Sequence, residues 1–161
     1  MASHILEGFS ISGSYTFATG TPLSPYYAAE VSSVACGTAG TLRPNVDPLV
    51  RVNTGGGSLK QWFNTAAYSE PVAHSGYPCA VFGSAPRNSI AGPGTVTNNM
   101  ALSKTMNLGE TRSMEIRATI NNAFNTVQYA GVDTNVASPT FGQVTSVGSM
   151  RSFQFTARFR F

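Results

Sequence analysis

Four stretches of this chain alternate apolar and polar residues with a period of two, and that period limits the chain more than any other feature. In the first, Phe9, Ile11, Gly13, Tyr15 and Phe17 fall on one side and Ser10, Ser12, Ser14 and Thr16 on the other. In the second, Met100, Leu102, Met106 and Leu108 share a side with one intruder, Lys104. In the third, Met114, Ile116, Ala118 and Ile120 oppose Glu115, Arg117, Thr119 and Asn121. In the fourth, Phe153, Phe155, Ala157, Phe159 and Phe161 oppose Ser152, Gln154, Thr156, Arg158 and Arg160. Successive side chains of a strand point to opposite faces, so each stretch predicts a strand with one apolar and one polar face. The predicted strands cover about 8–19, 98–108, 113–124 and 150–161.

Their connections are unequal. Gly109-Glu-Thr-Arg112 is a tight hairpin turn between the second and third strands. The other two connections, about 20–97 and 125–149, are long and polar. Connections of that length argue against a compact soluble domain. They suit a transmembrane β-barrel, whose strands of about ten residues alternate apolar outside and polar inside, with short periplasmic turns and long extracellular loops. If the last strand runs inward, the order long, short, long falls as that rule requires. The fold class expected is therefore all-β: an antiparallel meander of about four transmembrane strands with long extracellular loops.

On this reading Glu115, Arg117, Thr119, Asn121, Arg158 and Arg160 face the lumen, where charges stay hydrated or paired. Lys104 falls on the lipid-facing register, to be accommodated by snorkelling or by a bulge that re-aims it. Composition agrees with β-structure and polar loops. Only 11% of the 161 residues are charged, against about 25% in soluble domains, and Gly is abundant. The net charge of +3 comes from scattered residues with no basic cluster, which speaks against nucleic acid as a partner. No apolar run is long enough for a membrane-spanning helix, and residues 1–8 do not read as a signal peptide.

Constellations for catalysis are sparse. His4 and His74 read as solvated loop histidines, and no nucleophile elbow occurs. Thr54-Gly-Gly-Gly-Ser58 lacks the lysine of a phosphate loop and reads as a loop tip. Glu115 and Arg117 read as a lumen-lining ion pair. No cofactor and no metal site is expected. Cys36 and Cys79 are read as a disulfide closing an exposed loop in an oxidising compartment, with two free thiols as the alternative. Tyr26, Tyr27, Trp62, Phe63 and Tyr68 are candidate ligand contacts in the outer loops; the alternative for Trp62 and Phe63 is a small packed cluster that stiffens the loop.

Several longer motifs carry a resemblance. They are Gly8-Phe-Ser-Ile-Ser-Gly-Ser-Tyr-Thr-Phe-Ala-Thr-Gly-Thr-Pro22, Gln61-Trp-Phe-Asn-Thr-Ala-Ala-Tyr68, and Gly83-Ser-Ala-Pro-Arg-Asn-Ser-Ile-Ala-Gly-Pro-Gly94 with Asn98-Asn-Met-Ala-Leu-Ser-Lys104. Glu115-Ile-Arg-Ala-Thr-Ile-Asn-Asn-Ala-Phe-Asn125, Pro139-Thr-Phe-Gly-Gln-Val144 and the Phe-rich terminal strand complete the set. In this order they resemble the C-terminal end of TonB-dependent outer-membrane receptors, in the Oar-like group whose N-terminal domain is carboxypeptidase-regulatory-like.

The resemblance implies a plugged barrel of about 22 strands that imports a ligand across the outer membrane of a Gram-negative bacterium. It is a transport and binding role, not an enzyme's. It implies as partners the rest of the barrel and the plug, the TonB–ExbB–ExbD complex acting through the plug, the lipid bilayer, and the barrel assembly machinery. That machinery would read Phe153, Phe155, Phe159 and Phe161 as an assembly signal by strand addition. The chain is expected to be the C-terminal portion of such a receptor, lacking the plug and remaining barrel. The rival reading is a soluble or secreted β-sandwich module that binds carbohydrate or acts in adhesion, and a weaker one is a hydrolase fragment.

Overall fold

The computed structural model describes residues 7–28, 41–54, 57–72 and 82–161. Cys36, Cys79, His4 and His74 lie outside the described residues. The elements in chain order are β1 (Phe9–Ala18), β2 (Pro22–Leu23), β3 (Tyr27–Ala28), β4 (Thr41–Leu42), β5 (Asn45–Val46), a 3-10 turn (Thr65–Ala67), β6 (Tyr68–Ser69), β7 (Ile90–Ala91), β8 (Thr95–Asn107), β9 (Ser113–Asn121) and β10 (Ser152–Arg160). The chain divides into two compact units. One comprises Met1–Ala18, Thr95–Gln128 and Gly148–Phe161; the other comprises Thr19–Gly94 and Tyr129–Val147.

The first unit is a four-stranded antiparallel sheet in the order β1-β8-β9-β10. Its register runs without a break: Ile11 faces Leu102, Leu102 faces Ala118, and Phe155 faces Ala118. Gly13, Met100, Ile120 and Phe153 form the next apolar row, and Met106, Met114 and Phe159 another. The four predicted faces therefore merge into one apolar surface, with the polar residues on the reverse. The strands hold 10, 13, 9 and 9 residues, long enough to cross a bilayer when tilted, for which about 9–11 are needed. Among the described residues no helix is long and apolar enough to cross a membrane.

The burial of this unit is inverted. Its only buried residues, among those described, are the polar Asn98, Ser103 and Asn122. Phe9, Ile11, Phe17, Leu102, Ile116, Phe153, Phe155 and Phe159 all stand exposed, Ile11 at 75% and Phe155 at 76%. Each such side chain left in water forgoes about 1.5–3 kcal/mol, so a row of them forfeits as much as a small domain's whole stability of about 5–15 kcal/mol. The face belongs in an apolar solvent. Lys104 stays on it: the pairing is unbroken on both sides, Phe9 opposite and Ile116 next, so no bulge re-aims it. Its ammonium instead lies 4.5 Å from the centre of the Phe9 ring, where the ring's electron-rich face offsets the charge.

Strand ends differ slightly from those the pattern predicts. β8 begins at Thr95, because Thr95 and Val96 continue the pairing with Ala18 and Phe17. β9 stops at Asn121, because Asn122 turns into the left-handed region with φ 50°. Both long connections leave the sheet at the end where Ala18 pairs with Thr95 and Asn121 with Ser152. The turn at Gly109, with φ 130°, is at the other end.

The second unit is made of those two connections, and it has a core that includes Phe63, with Trp62 packed against it, as the cluster alternative for these two residues expects. Phe63 and Ile90, 1% and 0% exposed, centre a core with Ala67, Tyr68 and Ala85. Phe141 from the second connection stands edge-on to Phe63 at 5.2 Å. Trp62 N donates to Gly142 O at 2.7 Å and Val144 N to Leu59 O at 2.9 Å, which ties the two connections together. Gly142 has φ 81°, and a Cβ there would run into Thr65, so only glycine fits. Short ladders, β2 with β7, β3 with β4 and β5 with β6, frame the core. The second connection is braced by Asp133, whose carboxylate accepts from Thr140 Oγ1 at 2.6 Å and Asn135 N at 2.9 Å.

Truncating Phe63 to Ala should cost the second unit about 3–5 kcal/mol. Hydrogen exchange of the protein in detergent should show faster exchange in 57–72 and 129–147, with β8–β9 unchanged. Uniform protection would refute this core. Burial pushes the Asp133 carboxyl up, but hydrogen bonds from Ser138, Thr140 and Asn135 outweigh it and hold it below its ordinary 3.8. A carboxyl depressed in the folded state adds stability above its unfolded value and loses it as pH falls through the folded value. Thermal unfolding followed by Trp62 fluorescence should therefore drop in midpoint once pH passes below 3.8. Asp133→Ala should already melt lower at neutral pH and lose that part of the pH response.

Candidate functional site

Two places gather the residues that composition and pattern single out. On the polar face of the sheet, Glu115, Arg117, Thr119, Gln154, Thr156 and Arg158 line a hollow of about 330 Å3. Arg117 Nε lies 3.6 Å from Glu115 Oε1, along one strand. Arg158 of β10 is paired in register with Glu115, and Arg117 with Thr156. Arg160 is opposite Ser113, and Asn121 Nδ2 donates to Ser152 Oγ at 3.2 Å. The six predicted polar-face residues thus share one face, with three arginines against one glutamate. The arrangement holds charge in a hydrated track; it presents no nucleophile–base pair. Among the described residues no cluster of acidic, His and Cys side chains could hold a metal ion.

A second polar group, absent from the sequence reading, sits at the end of the same sheet. Asn98 Oδ1 accepts from Phe124 N at 2.7 Å, and Asn99 Oδ1 from Asn122 N at 3.1 Å. Asn122 Oδ1 accepts from Thr126 N, its Nδ2 donates to Thr126 O, both at 2.9 Å, and Asn125 Oδ1 accepts from Arg151 N at 3.2 Å. The Gln128 amide brackets Val96, donating to its carbonyl and accepting from its N–H. Five amide side chains therefore satisfy the backbone where β8, β9 and β10 stop pairing. Asn98 Nδ2 is buried without a hydrogen-bond partner among the described residues. The signal was present in the paired dipeptides Asn98-Asn99 and Asn121-Asn122 with Asn125 close behind, but strand periodicity does not weigh amides.

In the second unit the five aromatic candidates have different settings. Phe63, Tyr68 and Tyr27 are buried and offer a ligand little surface, and Trp62 packs beside them with its indole N–H donating to Ala91 O at 2.8 Å. Burial pushes the Tyr68 phenol above its ordinary value, partly offset by the Ser89 hydroxyl at 2.7 Å. Burial raises Tyr27 too, with the charge and hydrogen bonding of Glu70 adding to it. Tyr26 stays 38% exposed and lines an open groove.

On the apolar face Phe153, Phe155, Phe159 and Phe161 are all exposed, the first three in register with Ile120, Ala118 and Met114. A soluble sandwich would need that face buried, and it is not. No curated protein and no solved structure matches the chain. A family model described as an outer membrane beta barrel domain matches residues 1–154. With its inverted antiparallel sheet, the chain belongs to the outer membrane beta barrel domain family, whose place is the outer membrane of Gram-negative bacteria.

Proposed function

We propose that the chain is the C-terminal part of the barrel of a TonB-dependent receptor, which binds a ligand outside the cell and imports it across the outer membrane. It is a transport protein and not an enzyme. The reading is carried by one observation. Both long connections leave the same end of the sheet and fold into a unit with its own core, while the opposite end has only a tight turn. A pure anchor has no need of connections that fold on a core of their own; a receptor that must present a surface to the medium does. On this reading the second unit is extracellular, Gly109 is periplasmic, and β10 runs inward to a periplasmic Phe161.

On this reading the partners are as follows. The apolar face meets lipid. The free sides of β1 and β10 pair with further barrel strands, since an open edge is not tolerated in hydrocarbon. The track of Arg117, Arg158 and Arg160 faces the plug, through which TonB–ExbB–ExbD acts. The Phe-rich face of β10 is what the assembly machinery engages by strand addition.

An antibody raised against residues 20–97 tests the reading on fractionated source cells. The expected band lies in the outer membrane, is far larger than this chain, and shifts on boiling. A ligand held at the cell surface should accumulate inside only in cells with TonB. A small, soluble, unshifted band, or accumulation that is indifferent to TonB, would overturn the proposal.

A further inference from the structure

The open groove in the second unit has a volume of about 460 Å3 and is lined by Tyr26, Thr41, Arg43, Phe82, Arg87 and Asn88 among others. That volume lies within the range of small-molecule sites. Its walls are fixed by the backbone. Tyr27 and Ala28 pair with Leu42 and Thr41. Gly83 N donates to Arg43 O at 2.7 Å and Ala85 N to Pro44 O at 3.0 Å. Asn88, in the left-handed region at φ 57°, is held by Ser24: its N–H donates to Ser24 Oγ at 2.9 Å, and Ser24 Oγ donates to Asn88 Oδ1 at 3.2 Å. Ala85 belongs to both the groove and the core, so the groove rests directly on the core of the unit. Gly83 lets the walls meet, because a Cβ there would collide with the Pro44 carbonyl.

The chemistry of the lining is unusual for a solvated loop surface. Neither Arg43 nor Arg87 makes an ion pair or stacks on a ring among the described residues. The acidic groups described in the unit are engaged elsewhere: Asp47 with Leu49 N, Asp133 with Thr140 and Asn135, Glu70 with Tyr27. Among the described residues, two guanidinium forks therefore stand unneutralised beside two exposed aromatics, Tyr26 and Phe82, the latter 72% exposed. Thr41 and the amide nitrogen of Asn88 add hydroxyl and amide groups. A guanidinium presents a planar donor pair to a carboxylate or phosphate, and an aromatic face suits the C–H face of a sugar ring.

We infer that this groove binds an anionic sugar, its carboxylate or phosphate on Arg43 and Arg87 and its ring against Tyr26 and Phe82. The inference rests on the receptor reading and names the class of ligand that reading leaves open.

The test uses the protein extracted from outer membranes in detergent, with calorimetric titration of three probes: a short glucuronic acid oligomer, glucose 6-phosphate, and a neutral glucan oligomer. At least one acidic probe should bind, more weakly as salt rises, and the neutral glucan should not. Losing a charge-assisted contact costs roughly tenfold in affinity or more, so Arg43→Gln and Arg87→Gln should each weaken binding by that factor. Tyr26→Ala should weaken it as well. Arg51→Gln, in the same unit but outside the groove, should leave it unchanged. Binding of the uronate alone assigns a carboxylate, of the sugar phosphate alone a phosphate, and either supports the inference. No acidic probe bound, equal binding of the neutral glucan, or arginine variants that bind as the parent does would overturn it. Binding in detergent needs no energy coupling. Intact binding with TonB-independent uptake would thus sink the receptor reading alone, and TonB-dependent uptake with an inert groove would sink only the groove.

Discussion

Everything in the sheet depends on one register. Because side chains alternate with a period of two, a slip of one residue between β8 and β9 would send Met114, Ile116, Ala118 and Ile120 to the polar side and Glu115 and Arg117 to the apolar side. Neither face could survive the exchange. Charges in hydrocarbon cost several kcal/mol each, and the apolar residues would face the hydrated side. The pairing is therefore specified by solvent on both faces, which is stricter than in a soluble sheet with one dry face. Lys104 is the one charge among the paired residues that the register carries on the apolar side, where the polar Asn98 also falls, opposite Tyr15; the position of Lys104 opposite Phe9 shows how: the long stem lies on apolar surface and the ammonium on an aromatic face.

The same rule explains what the sequence disclosed and what it did not. Each long strand was visible because its ten or so positions repeat one simple alternation. The 3-10 turn, the two-residue ladders and most of the core are not, because none has a period; of the core, the sequence suggests only a small packed cluster at Trp62 and Phe63. β5 pairs with β6 across more than twenty residues of chain, and Phe141 reaches Phe63 from the far side of the sheet in sequence. Such contacts are set by tertiary packing, to which local pattern is blind. The sequence pattern carries β9 three residues beyond its observed end for a related reason. Ala123 and Phe124 keep the apolar bias of a strand, while the backbone is turned by the amide of Asn122. Among the site residues, the polar face was legible because it is the complement of the apolar one. The separation of Tyr26 from Tyr27, Phe63 and Tyr68 was not, since exposure within a loop depends on a core the pattern cannot see.

The motifs that carry the family resemblance have a physical role that is mainly structural. Gln61-to-Tyr68 supplies Phe63, Tyr68 and the Asn64-capped 3-10 turn. The stretch from Gly83 to Gly94 supplies Ala85, Ile90 and the carbonyl that takes the Trp62 indole. Pro139-to-Val144 supplies Phe141 and the Gly142 bend. Each contributes one wall of the same core, which is why widely spaced segments share one fate. The groove uses other residues of the same unit: Arg43, Phe82 and Arg87 line it, but their side chains do not pack into the core. That division lets a binding surface vary without unsettling its support.

A chain of this kind has to solve two folding problems with one sequence. In the sheet, apolar area cannot drive packing against a second layer, because that area is given to lipid; backbone hydrogen bonds and the amide cluster of Asn98, Asn99, Asn122, Asn125 and Gln128 hold the ends instead. In the long connections the solvent is water, and the ordinary hydrophobic effect returns. Closing loops of that length costs little more than closing short ones, since the entropy grows only logarithmically. Leaving them unpacked, however, would expose Phe63, Tyr68, Ile90 and Phe141 together. The connections therefore collapse on those residues; the buried core comes from the first, and the second is tied to it where Phe141 stands on Phe63 and the Gly142 carbonyl takes the Trp62 N–H. The contrast between the exposed phenylalanines of β10 and the buried Phe63 is a difference of solvent and not of residue type.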